Sequence, residues 1–178
     1  TWKNLHRTSR GWQLTLVHDK QEELISADYM IDATEMGDVA HAAGLPYRVG
    51  LDARTETGEP WAPAQARPIV QDMTYVMILK QYDKPRTIAR PEGYDAREFR
   101  NCCINSLNDS NLKTKPWTAE MMMNYGRLPN GKYMINWPMW GNDYYLNDVD
   151  YTPAQRDSAE QKAKAKSLRF LYFMQNEL

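Results

Sequence analysis

Cysteine is scarce in this chain of 178 residues, and its two copies, Cys102 and Cys103, are neighbours. Oxidising adjacent thiols closes a strained ring, and a structural cross-link wants Cα atoms further apart than one peptide usually holds them. The pair therefore reads as two reduced, partly buried thiols. Histidine is equally sparse: His6, His18 and His41 stand far apart, with no second ligand at metal spacing, so no metal centre is expected. No G-x-S-x-G elbow is present. An excess of one charge is also missing, since 22 Lys and Arg face 23 Asp and Glu for a net charge of -1. That leaves no basic field for a nucleic-acid backbone or an anionic membrane surface. No apolar run approaches the roughly 18 to 20 residues needed to span a bilayer. Finally, no two of the nine glycines are spaced G-x-G. The glycine-rich turn that cradles a dinucleotide pyrophosphate is thus not in this stretch.

What is present describes an ordinary globular chain, 42% hydrophobic and 25% charged. Its aromatics are uneven in kind, with six Trp and eleven Tyr against three Phe. Trp and Tyr join an apolar body to a polar handle, so they suit pockets and interfaces as well as cores.

Punctuation along the first third is clear. After Gly11, the run Trp12 to His18 alternates apolar and polar positions as a half-buried strand does. The charged stretch Asp19 to Glu23 is a turn, and a second strand passes through Leu24 and Ile25. Tyr29 to Ala33 is short and mostly apolar, which suits a strand covered on both faces of a parallel sheet. Asp38 then stands as helix N-cap for Val39 to Ala43, with Gly44 at C′. Leu45 to Pro68 has no sustained period and reads as an ordered excursion, because Trp61 and Tyr47 are costly to leave in water.

A long strand is expected from Val70 to Gln81, with Met73, Tyr75, Met77 and Leu79 on one face. Helices are expected at Asp95 to Leu107 and at Ala119 to Tyr125, the second capped by Thr118 and followed by Gly126. Asn130-Gly131 signals a tight turn into a strand from Lys132 to Trp137. Thr152-Pro153-Ala154-Gln155 combines an N-cap, a proline at the first helical position and a capping-box Gln. Ala159, Ala163, Phe170, Leu171, Met174 and Leu178 recur behind it at helical spacing.

Chemistry concentrates first in Ala27 to Ala40. A strand ending in small residues, then a Gly-Asp turn and a helix start, lets a backbone approach a phosphate or sugar closely. On pattern alone it is equally an ordinary turn of an α/β sheet. The run ADYMIDATEMGDVAHAAGLPYRVG resembles a segment of FAD-dependent oxidoreductases, in particular large bacterial flavoproteins, some of which bear the name xanthan lyase. Further matches follow in order: Gln71 to Lys80, Pro91-Glu92-Gly93-Tyr94-Asp95, Leu128-Pro129-Asn130-Gly131-Lys132 and Leu171-Tyr172-Phe173.

The resemblance implies an α/β (α+β) fold, with residues 1–45 closing a Rossmann-like FAD-binding domain. Residues 46–178 would form part of a mixed-sheet substrate region ending in a helix. It implies that Ala33, Thr34 and Glu35 lie near FAD and that Gly37 and Asp38 begin the next element. Glu35 stands where relatives commonly have Gly, and a side chain there limits close approach. Gln71, Asn136, Asn142 and Asp143 become candidates for substrate contact, with Trp137 and Trp140 as walls. Each is also readable as a loop polar group or a core aromatic. No catalytic residue is assigned, because the flavin carries the hydride and the protein positions it.

Thr1 is not an initiator methionine and no stop signal closes the last helix. The expectation is a piece of a longer polypeptide that does not hold FAD by itself and self-associates through surfaces the remainder would cover. The expected partners are that remainder and a small-molecule or carbohydrate substrate, with no nucleic acid and no membrane. The alternative is a carbohydrate-binding or polysaccharide-lyase module, motivated by Trp137, Trp140, Tyr144 and Tyr145 among acidic residues.

Overall fold

Asp19 and Lys20 both take left-handed backbone, with φ 48° and 66°, and reverse the chain between two of its strands. Primed turns of this kind match the twist of an antiparallel pair. In the computed structural model, which describes all residues except 137 and 139, β1 (Trp2–Thr8), β2 (Gly11–His18) and β3 (Gln21–Ala27) form an antiparallel meander in that order. The first strand was not anticipated, because its apolar positions are interrupted by charge. The chain divides into two units, Thr1–Ile69 and Val70–Leu178.

Beyond the meander, the first unit departs from the sequence expectation. Residues 29–33 fall in no regular element, no described strand pairs with them, and the expected parallel sheet does not form. Tyr29 and Ile31 are 90% and 91% exposed as a result. A strand of this composition needs neighbours on both sides, and every described sheet is antiparallel. Helix α1 (Asp38–Ala42) follows, with Gly44 at φ 70° just past its end. The excursion holds a single turn, α2 (Arg54–Thr57), and a bridge between Leu51 and Arg67. Its order comes from bonds to main-chain carbonyls: the Arg54 side chain donates through Nε and Nη2 to the Ala62 carbonyl at 3.1 and 3.0 Å. Trp61, expected under cover, is 97% exposed. The buried hydrophobic residues described in this unit are Val39, Ala53 and Ala62, all small.

The second unit contains the core. Phe99, Phe170, Phe173, Ile135, Met122 and both cysteines are buried together. The Phe99 ring lies 5.2 Å from that of Phe170 and 5.6 Å from that of Phe173. Burial pushes the Cys102 thiol up to about 12, with its neighbour Cys103 adding to the effect, so both are inert packing groups.

The expected long strand is broken in two: β4 (Met73–Thr74) pairs with β8 (Asp143–Tyr144), and β5 (Met77–Lys80) pairs with β7 (Lys132–Ile135). The break falls at Tyr75, whose carbonyl accepts from Ser167 Oγ at 2.6 Å and Asn142 Nδ2 at 3.1 Å instead of from a strand. Face alternation survives the break, since Met77 is buried while Val76 and Ile78 are exposed.

The expected helix at 95–107 is replaced by a 3-10 turn, Ala96–Phe99, followed by bends. Side chains win the competition for the backbone there. Asp95 accepts from Arg97 N, Asn105 accepts from Leu107 N, and Asn108 donates to the carbonyls of Arg100 and Cys103. Helix α3 (Ala119–Tyr125) starts where expected, with Thr118 Oγ1 accepting from Met121 N at 3.1 Å. Gly126 ends it, and only glycine fits: an added Cβ would lie 1.8 Å from the Met134 carbonyl oxygen. Asn130 and Gly131, at φ 61° and 64°, turn β6 (Arg127–Leu128) into β7. The expected continuation of β7 to Trp137 lies partly outside the described residues.

Helix α4 (Pro153–Asn176) carries the complete capping box of Thr152 and Gln155. Its buried stripe is Ala159, Ala163, Ser167, Phe170 and Phe173. Ser167 and Phe173 belong to it unannounced, and Leu178 is exposed. Arg169 holds the 3-10 turn through a forked pair to Glu98 at 2.7 and 2.8 Å.

Phe170→Ala is expected to cost about 3–5 kcal/mol, because a fully buried ring in a ring cluster leaves a cavity. Ser167→Ala, which orphans part of a buried junction, is expected to cost about 1–3 kcal/mol. Urea midpoints measured at constant slope check both, and a Phe170→Ala midpoint equal to that of the parent would contradict the core assignment.

Candidate functional site

The turn after the meander is built around one carboxylate. Asp32 Oδ1 accepts from Thr34 N and from Thr34 Oγ1, both at 2.8 Å. Its Oδ2 accepts from Ala40 N at 2.7 Å, inside the first turn of α1. Thr34 Oγ1 in turn accepts from Asp38 N at 2.9 Å. These bonds, first those from Thr34 and Ala40, hold the Asp32 carboxyl below the usual carboxylate range. Asp38 is therefore not the cap expected from sequence but the first helical residue. Gly37 precedes it in left-handed backbone (φ 66°), with no side-chain cap bond of its own. Capping comes instead from Asp32 and Thr34, reaching back from upstream, where negative charge suits a helix N-terminus.

This geometry decides what the turn accepts. The first amides of α1 are engaged and a carboxylate already sits on them, so an FAD pyrophosphate does not fit there. The adjacent edge is open. Ala33, Thr34 and Glu35 are exposed, and a Cβ on Gly37 would meet nothing within 4 Å. Among the described residues, the amides of Ala33 and Glu35 have no partner. Such an edge suits an uncharged part of a cofactor that carries hydrogen-bond acceptors.

The candidates in the second unit fall into different settings. Gln71 is exposed ahead of β4, and Asn136 is half-buried after β7. Trp137 lies outside the described residues. Asn142 is fully buried, its Nδ2 donating to Tyr75 O, Ile135 O (3.3 Å) and Ser167 Oγ (3.3 Å). It faces the core and joins strands to α4, while its Oδ1 has no partner among the described residues. Asp143 is half-buried and accepts from Thr74 Oγ1 at 3.1 Å, and its main-chain carbonyl accepts from Lys166 Nζ. Burial raises its pKa, and the nearby Asp72 charge acts in the same direction.

Trp140 is 49% exposed and held in left-handed backbone at φ 52°. It lines a cavity of about 420 Å³ with the loop Asp109-Ser110-Asn111-Leu112-Lys113-Thr114. Gln71, Asn136, Asn142 and Asp143 do not line it. Asp109 is fixed by Asn101 Nδ2 at 2.7 Å and Arg100 Nε at 2.9 Å, which keep it ionised. Sequence reasoning passed over this loop. Its run of Asp, Ser and Asn marks a turn but says nothing about which aromatic it will face.

The model of the FAD dependent oxidoreductase family matches residues 3–178. The chain belongs to that family. No curated protein and no solved structure matches it.

Asp32→Ala is expected to free the amides of Thr34 and Ala40, so their hydrogen exchange accelerates while exchange in the meander is unchanged. In the parent, the same loosening is expected only as pH falls through the depressed pKa of Asp32, because a lowered carboxyl stabilises above that value and not below it. Exchange rates at these amides, read residue by residue across acid pH, check both statements.

Proposed function

We propose that the protein works as an FAD-dependent oxidoreductase on a small polar, sugar-related molecule, with Ala33, Thr34 and Glu35 set against a non-phosphate edge of the flavin. The observation that carries this reading is the family match over residues 3–178. The open Ala33–Glu35 edge supports it. FAD, when bound, supplies hydride transfer, and the protein's part is to bind, orient and shield. In this reading Asp32 pins the turn so that the amides of Ala33 and Glu35 face the cofactor.

The substrate is placed against Trp140. A half-exposed indole beside a polar loop offers what a sugar ring takes: an apolar face to stack on and hydrogen-bonding groups at its edge. Ser110, Asn111 and Thr114 supply those groups. The same cavity favours the second reading, a carbohydrate-binding or polysaccharide-lyase module, in keeping with the xanthan lyase name of some resembling proteins.

The exposed Tyr29 and Ile31 support a further part of the reading. Residues 29–33 take a place in a Rossmann-like sheet completed by additional flavin-binding polypeptide, and residues 1–45 close that domain. Uncovered, this surface drives self-association. The chain by itself retains no FAD, since its helix start is closed to phosphate and no G-x-G-x-x-G accompanies it.

The full-length gene product, given FAD and desalted, is expected to keep a flavin absorption band, and the 178-residue chain treated alike is expected to be colourless. A full-length protein that stays colourless and takes up no FAD would remove the flavin reading and put the carbohydrate module in its place.

A further inference from the structure

Between the sheet β5-β7-β6 and the last turns of α4 lies a second cavity, of about 570 Å³. That is within the roughly 300–1,000 Å³ typical of small-molecule sites. Its walls are apolar: Leu79 from β5, Met123 from α3, the Tyr133 ring from β7, and Leu171 and Met174 from α4.

The mouth is different in kind. Gln81 Oε1 accepts from Tyr133 Oη at 3.2 Å. Gln175 accepts from Ile88 N and donates to Arg86 O, both at 3.0 Å, which straps residues 86–88 to α4. Both amide oxygens at the mouth are therefore engaged. Three donors are left: Gln81 Nε2, the Lys80 ammonium and the Arg86 guanidinium. The two cations flank the Tyr82 ring, with Lys80 Nζ 5.5 Å and Arg86 Cζ 4.7 Å from its centroid. Among the described residues neither is ion-paired. Asp83, the acid nearest them in sequence, does not line the cavity.

An apolar chamber whose mouth carries two unpaired cations and a free amide donor selects one chemistry. We infer that this cavity binds a small organic carboxylate with an aromatic or aliphatic body. The body enters among Leu79, Met123, Leu171 and Met174, and the carboxylate meets Lys80 and Arg86 at the entrance. The forked guanidinium matches a carboxylate through two parallel bonds. The inference goes beyond the flavin reading and does not depend on it.

The test compares 1-naphthoate with its uncharged counterpart 1-naphthalenemethanol, by calorimetric titration of the 178-residue chain. The carboxylate is expected to bind roughly tenfold more tightly than the alcohol, the worth of one charge-assisted bond. The double variant Lys80→Gln, Arg86→Gln changes only exposed side chains, so its thermal midpoint stays put. It is expected to bring naphthoate down to the affinity of the alcohol. Met174→Trp, which fills the chamber, is expected to abolish binding of both, with folding checked by circular dichroism. Equal affinity for the two probes, naphthoate affinity unchanged in the double variant, or no naphthoate binding by the parent at millimolar probe would each overturn the inference.

Discussion

The second unit is organised around one carbonyl. Tyr75 O accepts from both Ser167 Oγ and Asn142 Nδ2, and a carbonyl so engaged cannot also serve a strand ladder. That single conflict splits what the alternating sequence would make one strand. Its first half pairs with residues just after Trp140, and its second half pairs with β7. Ser167 sits in the buried stripe of α4, so the split also fixes where the longest helix docks. Asn142 donates onward to Ile135 O and ties in the next strand. A buried junction of this kind rests on satisfying its members together, because each unpaired polar atom in a dry interior carries a desolvation cost. Among the described residues Asn142 Oδ1 already lacks a partner, which leaves little tolerance for losing another bond.

How much of this was legible depended on the range of the interaction. The capping box at Thr152 and Gln155, the Thr118 cap and the Asn130-Gly131 turn are each decided within four residues, and each formed as read. Ser167 was not legible. A serine at a stripe position looks like a defect until a carbonyl 92 residues away is known to accept from it. The 95–107 segment failed for a different reason. It has helical apolar spacing, but Asp95, Asn105 and Asn108 offer the backbone partners two or three residues away, nearer than the four of a helix. Counting apolar period without counting Asx residues overstates helix in such a stretch.

At the turn from Asp32 to Asp38, the helix starts where the sequence places it, but its cap comes from other residues. Asp38 was given the cap, but the work falls to Asp32 and Thr34, eight and four residues upstream of the amides they engage. The difference is functional. A helix start capped by its own residue leaves its other amides open to a ligand, whereas one already occupied by a carboxylate turns anions away. The turn presents main-chain edges in place of a phosphate cradle.

Two of the cavities in the second unit differ in what they offer a ligand. One pairs the Trp140 indole with hydroxyl and amide side chains and with an Asp109 whose charge is already matched by Arg100. Lys113 also lines it, so its rim holds a cation beside hydroxyl and amide groups. The other joins an apolar chamber to two cations that, among the described residues, have no ion-pair partner. Both sites take aromatic surface as a wall, and what separates them is the rest of the lining: hydroxyl and amide side chains beside Lys113 in one, Leu79, Met123, Leu171 and Met174 beside Lys80 and Arg86 in the other. An unpaired rim charge sets a requirement on its ligand that a paired one does not.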